Sequence, residues 1–195
     1  MKPLLRILLT IGFVSVLTSC AQAMHEDMGK RLEQSGDLEA AISEYRKAVE
    51  SKPDSGNTHF LLGQALYKAG KNSEAIKELR ESVHHDLNNV DAHVLLGQAE
   101  LKDGNKQEAK TEFEVALVYD PKRAPAMMGL GQLLESDGNV EEAVKKYRDA
   151  TAADPTSIEA HKSLGLALSK TGDNQGARAA LETAERLEKA PAKTQ

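Results

Sequence analysis

The sequence of 195 residues has no tryptophan, and aromatic residues make up only 4% of it. A hydrophobic core must therefore come mainly from Leu, Ala, Val and Met. Cys20 is the one cysteine, so no disulfide can form within the chain. The formal net charge is −5, and this lack of basic excess argues against a nucleic-acid-binding protein.

Sequence motifs of catalysis and cofactor binding are also missing. The sequence contains no Cys-x-x-Cys, His-Glu-x-x-His, Gly-x-Ser-x-Gly or Gly-rich phosphate-binding motif. Adjacent acidic residues such as Glu141 and Glu142 are typical of a solvated helix face. We therefore expect no enzymatic activity, no cofactor, no bound metal and no small-molecule substrate.

A long apolar run occurs near the start of the chain. Lys2 and Arg6 are followed by apolar residues from Ile7 to Leu17, with no Asp or Glu among them. This order is typical of a secretory signal peptide, and the run is shorter than the roughly 20 residues of a transmembrane helix. An uncleaved anchor and an apolar N-terminal helix are the alternatives.

The apolar run ends in Leu-Thr-Ser-Cys at residues 17–20. This tetrapeptide resembles the lipobox of bacterial lipoprotein precursors. The resemblance implies that residues 1–19 are a cleaved signal peptide, that residues 20–21 form a lipidated N-terminus, and that Cys20 carries the acyl chains. Each buried methylene stabilises membrane binding by roughly 0.8 kcal/mol, so two or three chains anchor a protein stably. A free thiol in a loop is the alternative.

The residue after the lipobox bears on localisation. Ala21, not Asp, follows Cys20, and in lipoproteins this implies sorting to the outer membrane, facing the periplasm. Cleavage would also remove Lys2 and Arg6 but no acidic residue, which makes the mature chain more acidic. Anionic headgroups repel an acidic protein, so we expect the lipid anchor to provide the membrane contact in the cell envelope.

After Cys20 the sequence repeats itself with a period of 34 residues. Helically spaced apolar residues, a glycine that stops a helix, and a second amphipathic segment follow each other in every period. This order predicts two antiparallel helices joined by a tight turn. The residues that carry the period form three columns: Gly29, Gly63, Gly97, Gly131 and Gly165; Gly36, Gly70, Gly104, Gly138 and Gly172; and Ala41, Ala75, Ala109, Ala143 and Ala177.

The columns resemble the tetratricopeptide repeat. The resemblance implies an all-α fold, a right-handed α-solenoid of five helix-turn-helix repeats over residues 22–191, following the cleaved lipoprotein signal peptide. Residues 192–195 are expected to form a disordered tail. The predicted repeats are 22–55, 56–89, 90–123, 124–157 and 158–191.

Four residues depart from the repeat pattern. Glu100 stands where the first helix of a repeat usually has a large apolar residue, and Leu87 replaces a proline; we therefore expect repeat three to be locally looser. Arg178 falls in the column that holds Ile42, Ile76 and Val144, and Glu185 in the column that holds Val49, Val83 and Leu117. Because a terminal repeat exposes a face that inner repeats bury, we interpret this polar pair as a cap.

In tetratricopeptide repeats the first helix of each unit lines a concave groove that holds peptides or partner helices. The equivalent positions here combine large apolar residues with a series of glutamines, whose amides can pair with a peptide backbone. An alternative is that Phe60 and Leu101 only pack against neighbouring helices. The predicted groove residues are Phe60, Gln64, Tyr67, Val94, Gln98, Leu101, Met128 and Gln132.

Histidines recur at one repeat position: His25, His59, His93 and His161. Successive repeats lie near 10 Å apart, whereas metal–nitrogen bonds are about 2 Å long. One ion therefore cannot bridge two repeats, and we interpret the column as structural packing. His84 and His85 are interpreted as a surface pair at a helix C-terminus, where a positive charge is favourable.

Together these features favour a lipid-anchored interaction scaffold that binds a protein or peptide segment in its groove. It resembles the repeat lipoproteins that help to assemble pili, secretins or export machines. An adaptor for cell-wall enzymes shares every sequence feature and is the main alternative. A metal or haem carrier using the histidine column is a further one.

Overall fold

The computed structural model describes residues 19–190. Most of the predicted signal peptide and the predicted tail at residues 192–195 lie outside the described residues. Among residues 19–190 there are ten α-helices and no strand. No helix in this part of the chain is long and apolar enough to cross a bilayer.

The ten helices follow one another along residues 19–190 as five helix–turn–helix segments. The first helix, α1, is helical from the first described residue through residue 34. The others are α2 (Leu38–Ser51), α3 (Gly56–Lys68), α4 (Asn72–His85), α5 (Val90–Asp103), α6 (Lys106–Tyr119), α7 (Ala124–Ser136), α8 (Val140–Ala153), α9 (Ile158–Lys170) and α10 (Asn174–Lys189). The all-α helical-repeat fold expected from the sequence is thus confirmed.

The chain forms two compact units, one up to Ala99 and one from Glu100. In the first unit α2 and α4 pack against α3. In the second, α7 packs against α6 and α8, while α9 packs against α8 and α10. Helix order along the chain is therefore also the order of packing within each unit.

The turn inside each repeat depends on a glycine in the left-handed region. Gly70 has a φ of +75° and Gly36 a φ of +86°, values that L-residues with a side chain rarely adopt. At Gly70 the following amide, that of Lys71, donates to the carbonyl of Leu66 at 2.9 Å. The glycine thus ends α3 and redirects the chain into α4.

Close approach of the two helices in a repeat depends on the other glycine column. A Cβ placed on Gly63 would lie 2.7 Å from Cγ of Leu79, and one on Gly131 would lie 2.5 Å from Cε1 of Tyr147. Both distances are shorter than any normal carbon contact. The large side chain of the second helix therefore occupies the space that the glycine leaves.

Each unit has its own buried core of aliphatic, alanine and tyrosine side chains. Side chains of the first core come from four helices and are Ala41, Ile42, Tyr45, Leu62, Ala65, Leu66, Ala75, Ile76, Leu79, Leu96 and Ala99. A core in the second unit contains Ala143, Val144, Tyr147, Leu164, Ala167, Leu168, Ala177 and Ala180. Nearly every member belongs to a repeating column.

Glu100 does not loosen its helix as expected. The helix α5 runs through it without interruption, and Glu100 is 1% exposed. Its carboxylate accepts a hydrogen bond from Nδ2 of Asn105 at 2.7 Å, and its carbonyl accepts one from the Asn105 amide. A hydrogen-bonded carboxylate thus replaces the usual apolar residue.

The polar residues predicted to cap the last repeat are exposed. Arg178 and Glu185 both lie on the solvent-facing side of α10, whereas Ile42 and Val144, in the column of Arg178, are 1% and 8% exposed. These two polar residues therefore lie on a face of α10 that no other described residue covers.

Candidate partner-binding surfaces and the histidine column

In the first unit, three predicted groove residues lie on α3. Phe60, Gln64 and Tyr67 are spaced by four and three residues, which places them on one helix face. Phe60 and Tyr67 are half-buried against the first core, and Gln64 is partly exposed. This face therefore combines two anchored aromatic rings with an accessible amide.

The α5 residues of the first unit differ in accessibility. Gln98 is partly exposed, but Val94 is only 6% exposed. Little of the Val94 side chain can reach a partner. The part of the predicted surface that the first unit offers is thus Phe60, Gln64, Tyr67 and Gln98.

The second unit shows the same division between accessible and buried positions. Gln132 is exposed and Leu101 is half-buried. Met128 is 6% exposed and packs with Ala124, Ala150 and Ala160 in a small buried cluster. Met128 therefore belongs to the interior of this unit.

Carboxylates on the same helix faces are bound by a tyrosine of their own repeat and a lysine of the next repeat. Glu135 accepts a hydrogen bond from the Tyr147 hydroxyl at 2.9 Å and pairs with Nζ of Lys170 at 2.6 Å. Burial raises the pKa of Glu135, but the bonds from Lys170 and Tyr147 outweigh it, so the net pKa is lowered. In the first unit Glu33 accepts equivalent bonds from Tyr45 and Lys68. These carboxylates stabilise the stacking of repeats.

The histidine column forms polar bridges between the two helices of a repeat. Nδ1 of His25 lies 2.6 Å from Glu44, and Nδ1 of His59 lies 2.8 Å from Glu78. Both pairs are 19 residues apart. At His25 and His59 the column thus joins the two helices through hydrogen bonds, which the expectation of packing did not include.

A backbone carbonyl engages the second ring nitrogen of several of these histidines. Nε2 of His59 lies 2.9 Å from the carbonyl oxygen of Pro53. His93 and His161 contact the carbonyls of Leu87 and Pro155, each at 3.1 Å. In His59 both nitrogens therefore have protein partners, which leaves neither for a metal ion.

The surroundings of His59 raise its pKa. The hydrogen bond that His59 makes to the Glu78 carboxylate raises the pKa of His59, burial opposes this, and the Pro53 carbonyl adds to the increase. Because His59 is 6% exposed, water contributes little to its solvation. A protonated ring can donate from both nitrogens at once, and this matches the two contacts.

His84 and His85 form part of an aromatic stack. The His85 ring lies parallel to His59, with centroids 5.8 Å apart, and His84 meets His85 edge-on at 5.3 Å. The pair is exposed at the end of α4, as predicted. Across residues 19–190, no three or more His, Cys, Asp or Glu side chains are grouped so as to hold a metal ion.

A second column of the sequence could have predicted the histidine bridges, which our interpretation of the histidines did not include. The column 19 residues after the histidines reads Glu44, Glu78, Glu112, Lys146 and Ala180. Lys146 occurs in the repeat where Met127 replaces histidine. The last repeat keeps His161 but has Ala180 in place of the carboxylate, so the sequence holds the histidine–glutamate pair in the first three repeats.

An open cleft of about 580 Å³ between α6, α7 and α8 was not expected. Lys110 lines it and falls in the column of Ile42, Ile76 and Val144, all 8% exposed or less. A lysine keeps its ammonium in water, so it leaves unfilled the space that a branched aliphatic residue fills elsewhere. The apolar walls are Leu117, Val118, Leu130, Leu133 and Leu134.

Cys20, the predicted lipidation site, is exposed. It lies within α1 and not in a loop. The described helix therefore already includes the residue that would become the N-terminus of the mature protein.

Comparisons with known proteins agree with this geometry. One family model described as "Tetratricopeptide repeat" matches residues 61–124 and 94–158, and another described as "TPR repeat" matches residues 29–70. No curated protein sequence matches the chain.

Several solved structures share the fold. A crystal structure of MamA is 28% identical, covers 85% of this chain and 97% of its own, and has a TM-score of 0.71. PilF from Pseudomonas aeruginosa is 19% identical over 87% of this chain and 77% of its own, with a TM-score of 0.77. YrrB, described as a TPR protein with an unusual peptide-binding site, is 20% identical over 84% of each chain, with a TM-score of 0.64.

Proposed function

Because the chain belongs to the tetratricopeptide repeat family, we propose that it is a lipid-anchored scaffold of the bacterial cell envelope that binds a partner protein segment. The fold itself supports protein–protein interaction as the general activity. Both family models that match describe this repeat. The anchor, the binding surface and the pathway are the specific parts of the proposal.

The face of α3 carries the binding proposal. Phe60 and Tyr67 pack against the first core and remain partly exposed, and Gln64 lies between them along the helix. Anchored aromatic rings with an accessible amide suit an extended peptide or a helix, because the rings lose little side-chain entropy on binding. YrrB, which shares the fold, is a protein with a peptide-binding site.

In the second unit, Leu101 and Gln132 provide the equivalent positions. Glu135, which follows Gln132 by three residues, is engaged by Tyr147 and Lys170. A partner would meet Gln132 rather than a free carboxylate there. We therefore expect recognition of a neutral or apolar segment and not of a strongly basic one.

The lipobox at residues 17–20 carries the anchor proposal. Acylation of Cys20 would attach the protein to the envelope, and Ala21 after it favours the outer membrane with the repeats facing the periplasm. Replacing Cys20 by Ala should abolish palmitate labelling and release the protein from the membrane fraction. Unchanged labelling in Cys20→Ala would contradict lipidation at this residue.

Photo-crosslinking tests the binding surface. A photoreactive amino acid in place of Gln64 should crosslink a partner in intact membranes, whereas the same group in place of Lys77 should not. Lys77 is an exposed residue on α4 and serves as the matched control. Equal yields at the two positions would exclude the α3 face as the binding site.

The identity of the crosslinked protein separates the two pathways. A component of a pilus, secretion or export machine supports the assembly role, which rests on the resemblance to repeat lipoproteins. A cell-wall hydrolase or synthase supports the adaptor alternative. Each result leaves the scaffold function itself intact.

A further inference from the structure

The solvent-facing side of α1 carries two large apolar side chains. Met24 is 60% exposed and Met28 is 47% exposed. The residues at the equivalent positions of later repeats are buried. The column of Met24 continues as Thr58, Ala92, Ala126 and Ala160, each 0% exposed, and that of Met28 as Leu62, Leu96, Leu130 and Leu164, at 2%, 1%, 9% and 8%.

Cys20 extends this apolar stripe toward the N-terminus. Cys20, Met24 and Met28 are spaced by four residues on one helix, so they share a face. At a rise of 1.5 Å per residue, the two methionines lie only about 6 and 12 Å along the axis from Cys20. A lipid attached to Cys20 would thus hold both methionines close to the headgroups.

The start of α1 is fixed to the second repeat. Nε2 of Gln22 lies 2.9 Å from Glu26, 3.0 Å from Ser55 Oγ and 2.8 Å from Thr58 Oγ1. Thr58, which is 0% exposed, also donates to Glu26. This network begins two residues after Cys20. An anchor at Cys20 therefore connects to α3 with no flexible tether between them.

Charge on this face does not oppose contact with lipid. Asp27 and Arg31 flank the stripe and pair with each other at 2.9 Å, which neutralises both. The remainder of the chain is acidic and would be repelled by anionic headgroups. A zwitterionic surface is therefore the one that this face can approach most readily.

We propose that the Cys20–Met24–Met28 stripe lies on the lipid bilayer, with the methionine side chains in the interfacial region. This inference rests on the lipid anchor of the proposed function. It adds that α1 is a docking surface for the membrane and that the Gln22 network transmits its orientation to the first unit. The binding face of α3 is then held at a fixed angle to the membrane.

Fluorescence can test this contact directly, because the chain has no tryptophan. The full-length protein carrying Met24→Trp or Met28→Trp is purified from membranes and placed in phosphatidylcholine vesicles whose chains are brominated near the headgroup. Leu87→Trp is the matched control, since Leu87 is 63% exposed in the same unit. Intact mass reports acylation of Cys20 on the same samples.

We expect both methionine variants to shift to shorter emission wavelength on vesicles and to lose most of their emission to the brominated chains. The Leu87 variant should show neither change. Acylated protein whose two methionine variants behave like the control would overturn the membrane contact while leaving the anchor intact. Protein without acyl chains would overturn the anchor, and the inference with it.

Two other ways of covering the stripe would give different fluorescence or mass results. Contact with a second copy would shift the emission before vesicles are added and would depend on protein concentration. A retained leader folded over the stripe would show in the intact mass and would protect the tryptophan from brominated lipid. Either result contradicts the proposal.

Discussion

Nδ1 of His59 lies 2.8 Å from Oε2 of Glu78, and this contact joins the two helices of repeat two. The Nε2 nitrogen of the same ring contacts the Pro53 carbonyl at 2.9 Å. Both partners are acceptors, and only an imidazolium can donate to both at once; these contacts raise the pKa of His59. The contribution of this pair to stability therefore depends on pH.

Stability should depend on pH through this pair. The Glu78 bond raises the pKa of His59 above its unfolded value, which is about 6.5. For a raised pKa the stabilisation is fully present below the unfolded pKa and is lost as pH rises through the folded one. Glu78→Gln keeps an acceptor but removes the charge. It should lower the free energy of unfolding by about 1–3 kcal/mol just below the unfolded pKa of His59, and by less once the pH exceeds the raised pKa of the folded protein.

Urea unfolding of both proteins across neutral pH measures this difference. Glu50→Gln is the control, because Glu50 is an exposed carboxylate on α2. The difference in free energy of unfolding between wild type and Glu78→Gln should decrease as the pH rises. The corresponding difference for Glu50→Gln should not change with pH. A Glu78→Gln gap that is constant with pH would show that His59 is not the titrating group.

The close approach at Gly63 should not tolerate a side chain. A Cβ there would lie 2.7 Å from Cγ and 2.9 Å from Cδ2 of Leu79, and overpacking of this kind typically costs 1–3 kcal/mol. Gly63→Ala should therefore lower the free energy of unfolding by roughly that amount. Ser73→Ala, at an exposed site on α4, should change it little.

A double variant shows whether the clash with Leu79 is the cause. Gly63→Ala together with Leu79→Ala should cost less than the sum of the two single changes, because the shorter side chain makes room for the new methyl group. Strict additivity would mean that the two residues do not compete for the same space.

The cleft beside Lys110 should accept an aliphatic side chain. Ile42 and Ile76 fill this position in other repeats and are 1% and 8% exposed. Lys110→Ile should therefore raise the stability by about 1 kcal/mol through burial of apolar surface. Lys145→Ile removes the same charge at an exposed position of α8 and should bring no gain. Equal melting temperatures for Lys110→Ile and wild type would contradict this account of the cleft.

Much of the fold was predictable because the same pattern of residues occurs in five repeats. A glycine at Gly70 predicts a helix end only weakly, but the same residue at one position in five repeats excludes chance. The left-handed φ of +75° at Gly70 and the contact of Gly63 with Leu79 follow from those columns.

The depth of burial at the candidate site was not predictable from spacing. Helical spacing places Val94 and Met128 on the expected face, yet both are only 6% exposed. Helical spacing determines the direction in which a side chain leaves its own helix. It does not determine how closely a neighbouring helix packs against that side chain. The cleft was a different case, since Lys110 already interrupts an aliphatic column in the sequence.

The hydrogen-bond partner of Glu100 could not be predicted from the repeat pattern. Asn105, which donates to its carboxylate at 2.7 Å, is the N-cap residue of α6, where Asn predicts a helix cap and not a bond to Glu100. We expected a looser repeat because Glu100 stands in a column of large apolar residues. Its partner accounts for the continuous helix.

Partner capture by a Tyr67→Ala variant tests the central proposal most directly. Membranes holding wild-type or variant protein are crosslinked, and the yield of the captured partner is compared at equal protein amounts. Leu87→Ala is the control at an exposed apolar site outside the binding face, and circular dichroism verifies that helicity persists. We expect Tyr67→Ala to lose most of the captured partner and Leu87→Ala to retain it; full capture by a folded Tyr67→Ala protein would contradict the account.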